Sequence, residues 1–328
     1  MSGSDPSTRP SGPRSGTGAP PSPDRSLSER SGNRSLSERS GNRSLSERSE
    51  NRSLSERSES KGAPGRRSRR FGAWYVFEHL LREMRSYGVV TIAQAIGTPF
   101  LGWLAFGIGV GALVQAGTGG AGVDGVPYLA FVLPALMCGL TLQVWAEDAM
   151  FGTMLGVMWR RTFVAMRAAP IEVRQIVGGA VGSIALRAGI TAVLYAIVAA
   201  IAGAFSSPWA WASVLAALAG AAAFGLPLMA FAARMQRDVG QFALIGRFVI
   251  LPLTLFSGTM FPLAMLPGWL QWIGWVSPLW HSSQLARAAA YGTGESPWLL
   301  ALHALVLVAL IALGWWLVVR TLRRRLEK

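Results

Sequence analysis

Long apolar runs, separated by short polar connections, dominate the chain from residue 71 onwards. A helix needs about 20 predominantly apolar residues to cross a bilayer. The runs predict six such spans and therefore an all-α integral membrane protein. They lie at residues 88–114, 127–145 and 209–232, in runs that end near residues 205 and 261, and at residues 297–319.

The fifth apolar run is broken by prolines, although no charge appears between Arg247 and Arg287. Proline removes a backbone donor and clashes with the preceding turn, so one continuous helix is excluded. Backbone groups freed by such breaks cannot face lipid, whereas tryptophan side chains are favoured at the membrane interface. We therefore expect re-entrant outer helices between spans five and six. The residues of this candidate outer gate are Gly258, Pro262, Pro267, Gly268, Trp269 and Pro278.

An amphipathic pattern precedes the first span. Apolar side chains recur at helical spacing opposite the charges of Glu78, Arg82 and Glu83. This pattern predicts an N-terminal interfacial helix that lies on the cytoplasmic membrane surface. Its apolar residues are Phe71, Trp74, Tyr75, Leu81 and Met84.

Connections that are rich in basic residues alternate along the chain with connections that have few or none. Nearly all of the basic residues lie near the two termini and after spans two and four, whereas the connections after spans one and three have none. Basic residues are retained on the cytoplasmic side, so the pattern predicts a multi-pass plasma-membrane protein with both termini in the cytoplasm. The abundance of Ala, Gly and Arg over Lys is typical of a GC-rich bacterial host. Basic flanks also explain much of the net charge of +14 without nucleic-acid binding.

Residues 1–70 form a separate low-complexity region. Ser, Arg, Gly, Pro and Glu dominate it, and a nine-residue unit that begins RSLSERS recurs four times from Arg25. Each copy contains one leucine, which is too little apolar surface to bury a core. We predict a disordered tail (1–70) followed by a transmembrane domain (71–328). A docking or phosphorylation role for its serines is the alternative to a passive tail.

Few side chains could support catalysis or bind a cofactor. A phosphate-binding loop needs Gly-Lys-Ser/Thr, and neither Lys61 nor Lys328 has that context. The three histidines lie in separate segments, and Cys138 is a single thiol within an apolar run. We therefore predict no enzymatic activity, no metal and no cofactor in this chain. Any ATP must be bound by a partner.

The connection after span two contains the longest charged stretch between spans, Trp159–Arg174. It is either a solvated loop or a surface that receives force from a motor subunit. Two further polar residues have two interpretations each: Arg187 extends to the inner interface or faces the bundle interior, and His281 is interfacial or functional. The candidate coupling residues are Arg160, Arg161, Arg167, Pro170, Glu172 and Arg174.

Two stretches resemble the membrane subunits of type-2 ABC exporters, including the branch that exports nodulation lipo-oligosaccharides and daunorubicin-like drugs. The first runs from WRRTF at Trp159 to MRAAP at Pro170, followed by Gly178. The second joins FSGTMFP, LPGWL and SPL within residues 256–279. The resemblance covers about residues 71–325, and the repetitive tail departs from the short N-termini that are usual in the family.

The resemblance implies a permease that pairs with a second copy or a close relative. Two cytoplasmic ATPases would dock beneath it and drive export of an amphiphilic, drug-like or lipid-linked compound. A membrane-embedded enzyme of lipid-linked glycan metabolism is one alternative, but it would need several acidic or histidine residues at one membrane face. An ion-coupled carrier is another, and such carriers typically contain internal repeats and buried carboxylates.

Overall fold

The computed structural model describes residues 70–84, 88–117, 119, 122–237 and 240–327. Within these residues the chain is helical apart from turns and one antiparallel bridge between Val123 and Val126. This agrees with the predicted all-α fold. The predicted tail lies outside the described residues except for Arg70, and so do Lys61 and Lys328.

The first described helix, α1 (residues 70–84), lies where the amphipathic pattern predicts a helix. The side chains of Phe71, Trp74 and Tyr75 are exposed. Val76 is instead fully buried against Gly179, where an added Cβ would lie 2.6 Å from the Val76 Cβ. One side of α1 therefore packs on the bundle, and its aromatic side is free to meet the membrane interface.

Five helices in the described part are long and apolar enough to cross a membrane, and they correspond to five of the six predicted spans. The other predicted span, the fifth in chain order, corresponds to an apolar helix that is shorter than these five. After α1, the helices in chain order are α2 (residues 88–117), α3 (Tyr128–Trp159), α4 (Thr162–Met166), α5 (Val173–Ile201), α6 (Ala212–Ala232), the short α7 (Gln241–Phe256), α8 (Gly268–Val276), α9 (Pro278–Tyr291) and α10 (Pro297–Leu326).

Several helix ends differ from the predicted span ends, and those of α3 and α7 have a clear physical reason. The predicted second span ends near Trp145, whereas α3 continues to Trp159 through two π-helical segments. Its Asp148 forms an ion pair with Arg187 of α5, so the apolar run can be followed by charge without ending the helix. The fifth predicted span extends to about residue 261, whereas α7 ends at Phe256 because the chain then turns.

Small residues let the central helices approach closely. An added Cβ at Gly225 of α6 would lie 2.0 Å from Trp145 of α3. An added Cβ at Gly220 would lie 2.4 Å from Ser282 of α9. Such contacts let helices pack where lipid removes the usual hydrophobic driving force. The core therefore forms where α3, α6 and α9 meet, and it also contains the buried Cys138.

Candidate functional site

The charged connection between α3 and α5 has a well-defined backbone. Arg161 adopts a left-handed conformation with φ of 52°, and the short helix α4 starts immediately after it. Phe163 is buried against Gly156, where an added Cβ would lie 2.6 Å from the phenyl ring. The connection is thus fixed to the end of α3 by an aromatic side chain that fits over a glycine.

Three of the six predicted coupling residues have contacts within the chain. Arg160 forms an ion pair with Glu83 of α1. Arg167 donates a hydrogen bond through Nη1 to the Ile171 carbonyl oxygen at 3.0 Å. Glu172 is the N-cap of α5 and forms a reciprocal capping box with the residue three positions later. These residues attach the connection to α1 and α5.

The other three predicted coupling residues are exposed: Arg161, Pro170 and Arg174. Within the described residues, neither Arg161 nor Arg174 forms an ion pair or hydrogen bond through its guanidinium group. A guanidinium group can bind a carboxylate through two parallel hydrogen bonds. The connection therefore presents two cations that are available to a partner protein.

Arg187 of α5 is partly buried and forms an ion pair with α3. Its guanidinium group pairs with Asp148, and the two side chains are 25 and 20 % exposed. Both line a cavity of about 180 Å³ together with Glu83 of α1 and Thr153 of α3. The ion pair links α3 to α5 next to the point where α1 covers the bundle.

The segment after α7 is broken at the predicted prolines. Pro262 precedes a 3₁₀ helix (Leu263–Met265), Pro267 precedes α8, and Pro278 is the first residue of α9. Each proline therefore starts a new helix, where its missing N–H has no intrahelical partner to lose. Trp269, on the first turn of α8, is 73 % exposed.

Two buried serines join the ends of this segment. Gly258 takes a left-handed conformation with φ of 67°, which a residue with a side chain rarely adopts. The preceding residue, Ser257, lies 2.7 Å from Ser277 between hydroxyl oxygens. Ser277 also caps α9 by accepting a hydrogen bond from the Leu279 N–H at 3.1 Å. The turn after α7 is thus bonded directly to the start of α9.

Arg287 of α9 holds the broken segment against α3. It is 3 % exposed, and its guanidinium group lies 3.7 Å from the centre of the Phe131 ring. Nε donates to the Phe131 carbonyl oxygen at 3.1 Å, and Nη2 donates to the carbonyl oxygens of Gly258 at 2.8 Å and Thr259 at 3.1 Å. Burial lowers the pKa of Arg287 to about 10, so the group is charged at neutral pH.

In the sequence, Arg287 is notable only as the charge that ends an uncharged stretch. The structure shows that it connects three segments that are far apart in the chain. The sequence feature that points to Arg287 is its position as a single charge in an otherwise uncharged region that begins after Arg247. An ionisable residue in such a setting is a candidate for a specific role.

Two histidines that are distant in sequence form a pair beside this segment. The Nδ1 atoms of His281 in α9 and His303 in α10 are 2.6 Å apart. His281 Nε2 lies 3.1 Å from the Trp275 carbonyl oxygen, which can only accept, so Nε2 carries the proton in the neutral ring. His281 Nδ1 then accepts from His303. Burial, followed by the adjacent His303, lowers the pKa of His281, which favours this neutral form.

Comparison with known families decides the class of this chain. The family model described as ABC-2 type transporter matches residues 73–291. The chain belongs to the ABC-2 type transporter family. The match includes both the charged connection and the broken segment after α7, so it confirms the resemblance inferred from those two stretches.

Individual relatives of this ABC-2 type transporter agree with the family assignment. Nodulation protein J of Rhizobium meliloti (strain 1021) is 28% identical over 225 residues, which are 67% of this chain and 82% of the relative. Nodulation protein J of Sinorhizobium fredii (strain NBRC 101917 / NGR234) is 27% identical over 241 residues, with 73% and 87% covered. That of Neorhizobium galegae is 30% identical over 228 residues, with 68% and 82% covered. No solved structure gives a significant match.

Proposed function

We propose that this chain is the membrane subunit of an ATP-driven exporter that moves an amphiphilic, drug-like or lipid-linked compound out of a bacterial cytoplasm. It pairs with a second copy or a close relative, and separate cytoplasmic ATPases bind and hydrolyse the ATP. The observation that carries the proposal is the family match, which spans both the charged connection and the broken segment. An ABC-2 permease without its own phosphate-binding loop requires such a partner.

The charged connection supports the proposed docking of an ATPase. Its backbone is fixed by Phe163, while Arg161 and Arg174 are exposed. Just before α4, Arg160 forms an ion pair with Glu83, so the connection also contacts α1. We therefore assign this connection as the coupling surface.

The broken segment supports a six-span arrangement with re-entrant outer helices. The sixteen residues of α7 extend about 24 Å as a helix, less than the roughly 30 Å core of a typical bilayer. The 3₁₀ helix and α8 would complete that crossing within the outer leaflet, with Trp269 at the interface. The serine contact and Arg287 keep the turn against the bundle, where its backbone groups are shielded from lipid.

Co-purification with the cognate ATPase tests the proposal. The two chains are co-expressed, the permease is purified through an affinity tag, and the complex is sized by light scattering. We expect equal numbers of the two chains, two of each, with ATP hydrolysis that depends on the lysine of the partner's phosphate-binding loop. A permease that purifies alone from co-expressing cells under mild detergent would contradict the proposal.

A further inference from the structure

A wide cavity opens between the C-terminal ends of α6 and α10. Its volume is about 810 Å³, and arginines supply most of its polar lining. Among the lining residues that the structure describes, none is a carboxylate. Its lining includes Arg234 and Gln236 after α6, and Leu317, Arg320, Arg324 and Arg325 of α10.

Contacts between the two helices above and beside the cavity define its shape. An added Cβ at Gly314 of α10 would lie 2.7 Å from the Leu226 Cβ, so the helices touch there. Nearer the end of the bundle, Arg325 donates hydrogen bonds to the carbonyl oxygens of Ala233 at 3.2 Å and Met235 at 2.6 Å. The cavity thus lies between fixed contacts and is a defined feature of the fold.

The arginines of the cavity differ in whether they already have interaction partners within the chain. Arg325 is bonded to backbone, and Arg320 lies 4.9 Å from the centre of the Trp316 ring. Arg234 and Arg324 are exposed, and in the described part of the chain neither forms a hydrogen bond or ion pair through its guanidinium group. Among the residues that the structure describes, the cavity therefore holds positive charge without a lining counterion, which matches an anionic ligand.

An apolar cavity of about 430 Å³ lies beside α6, which lines both cavities, and residues of α7, α8, α9 and α10 complete it. Pro227 and Phe231 of α6 contribute to it, as does Leu310 of α10. Residues 227, 231 and 234 follow one stripe of α6, and residues 310, 317 and 324 follow one stripe of α10. The stripe of α6 therefore leads from the apolar cavity to Arg234 of the basic cavity, whereas on α10 the helix contact at Gly314 lies between Leu310 and Leu317. A ligand with a charged head and an apolar body would match this sequence of surfaces.

We propose that the basic cavity binds the phosphate head group of an anionic membrane phospholipid, whose acyl chain lies along the apolar cavity. Guanidinium groups bind phosphate oxygens in bidentate geometry, and basic cavities between membrane helices bind such head groups. A half-exposed Trp316 beside Arg320 is typical of the lipid interface. Only the assignment of this lipid to the cytoplasmic leaflet rests on the proposed function.

The apolar continuation favours a lipid over an acidic surface of a partner protein. A protein partner would contact Arg234 and Arg324 from the aqueous side and would not need the stripe that runs to Phe231. A soluble phosphate would likewise gain nothing from that stripe. The lipid uses both surfaces, and the volumes suit a head group and part of a chain.

The test compares two pairs of arginine substitutions in the purified full chain. Arg234→Gln with Arg324→Gln removes the unpaired cations of the cavity. The matched control, Arg237→Gln with Arg323→Gln, removes two exposed arginines that are near neighbours in sequence and do not line it. Binding of cardiolipin, phosphatidylglycerol and phosphatidylcholine is measured by native mass spectrometry in a neutral detergent. We expect about 30-fold weaker cardiolipin binding for the first pair and little change for the control.

Each other outcome overturns the proposal. Equal loss in both pairs would show general attraction by surface charge, and no loss in the cavity pair would show that the lipid binds elsewhere. Full competition by inorganic pyrophosphate at the same concentration would identify a phosphate site instead of a lipid site. Retained lipid binding with loss of ATPase co-purification would assign the cavity to the partner protein. Size-exclusion profiles verify folding, and single Arg324→Gln and Arg323→Gln variants repeat the comparison with less perturbation.

Discussion

Substitution of Arg287 by methionine should destabilise the segment after α7 more than any loss of a surface charge. Methionine keeps a long side chain that can cover Phe131 but cannot donate hydrogen bonds. The carbonyl oxygens of Gly258 and Thr259, both in buried residues, would lose their contacts with the guanidinium group. The turn that joins α7 to the outer helices would therefore open more readily.

The size of the effect follows from these contacts. A buried polar group left without a partner costs about 1–3 kcal/mol, so two such carbonyl groups predict a loss of about 2–6 kcal/mol. For a chain of this size that corresponds to a fall of roughly 5–15 °C in the unfolding midpoint. Arg287→Lys should give a smaller loss, because one ammonium group cannot reproduce the planar arrangement of donors.

Thermal unfolding of the purified protein in detergent, followed by tryptophan fluorescence, measures this effect. Arg247→Met is the matched control, since Arg247 is an exposed arginine on the neighbouring α7. A cysteine at Met260 in a Cys138→Ala background should also react faster with a water-soluble maleimide when Arg287 is replaced. Equal midpoints for Arg287→Met and Arg247→Met, with unchanged labelling, would refute the role assigned to Arg287.

Two further predictions concern the proposed coupling surface and the topology. Asparagine tolerates the left-handed backbone at position 161, so Arg161→Asn removes an unpaired cation and should weaken co-purification of the ATPase by roughly tenfold. Arg323→Gln is the control. Identical co-purification of the two variants would leave the connection as a solvated loop. In a Cys138→Ala background, a cysteine at Ser206 should label with an impermeant reagent in intact cells, whereas one at Ala168 should label only after lysis, and the reverse result would overturn the proposed orientation.

Helix breaks were predictable where several prolines follow one another within a short stretch. Pro262, Pro267 and Pro278 each lie at the start of a new element. The isolated prolines Pro134 of α3 and Pro227 of α6 instead lie inside helices. Apolar runs likewise predicted the long helices, since run length alone decides whether a segment reaches across a bilayer. Helix ends were harder to predict from the sequence. The ion pair that allows α3 to continue, for example, joins Asp148 to Arg187 on a different helix.

Contacts between distant segments could not be read from the sequence. Nothing in the local pattern places His281 within 2.6 Å of His303, which is 22 positions away on another helix. The same holds for the stacking of Arg287 on Phe131. The candidate coupling residues show the converse case: their presence in one connection was predictable, but the internal bond that occupies Arg160 was not.

Export driven by ATP is tested most directly by locating the transported compound. Cytoplasmic and extracellular extracts are compared by mass spectrometry in three strains: wild type, one that lacks this chain, and one with an alanine in place of the phosphate-binding lysine of the cognate ATPase. We predict that the same amphiphilic compounds accumulate inside, and disappear outside, in both altered strains. Compounds that change location only when this chain is missing, or that change in structure instead of location, would contradict the account.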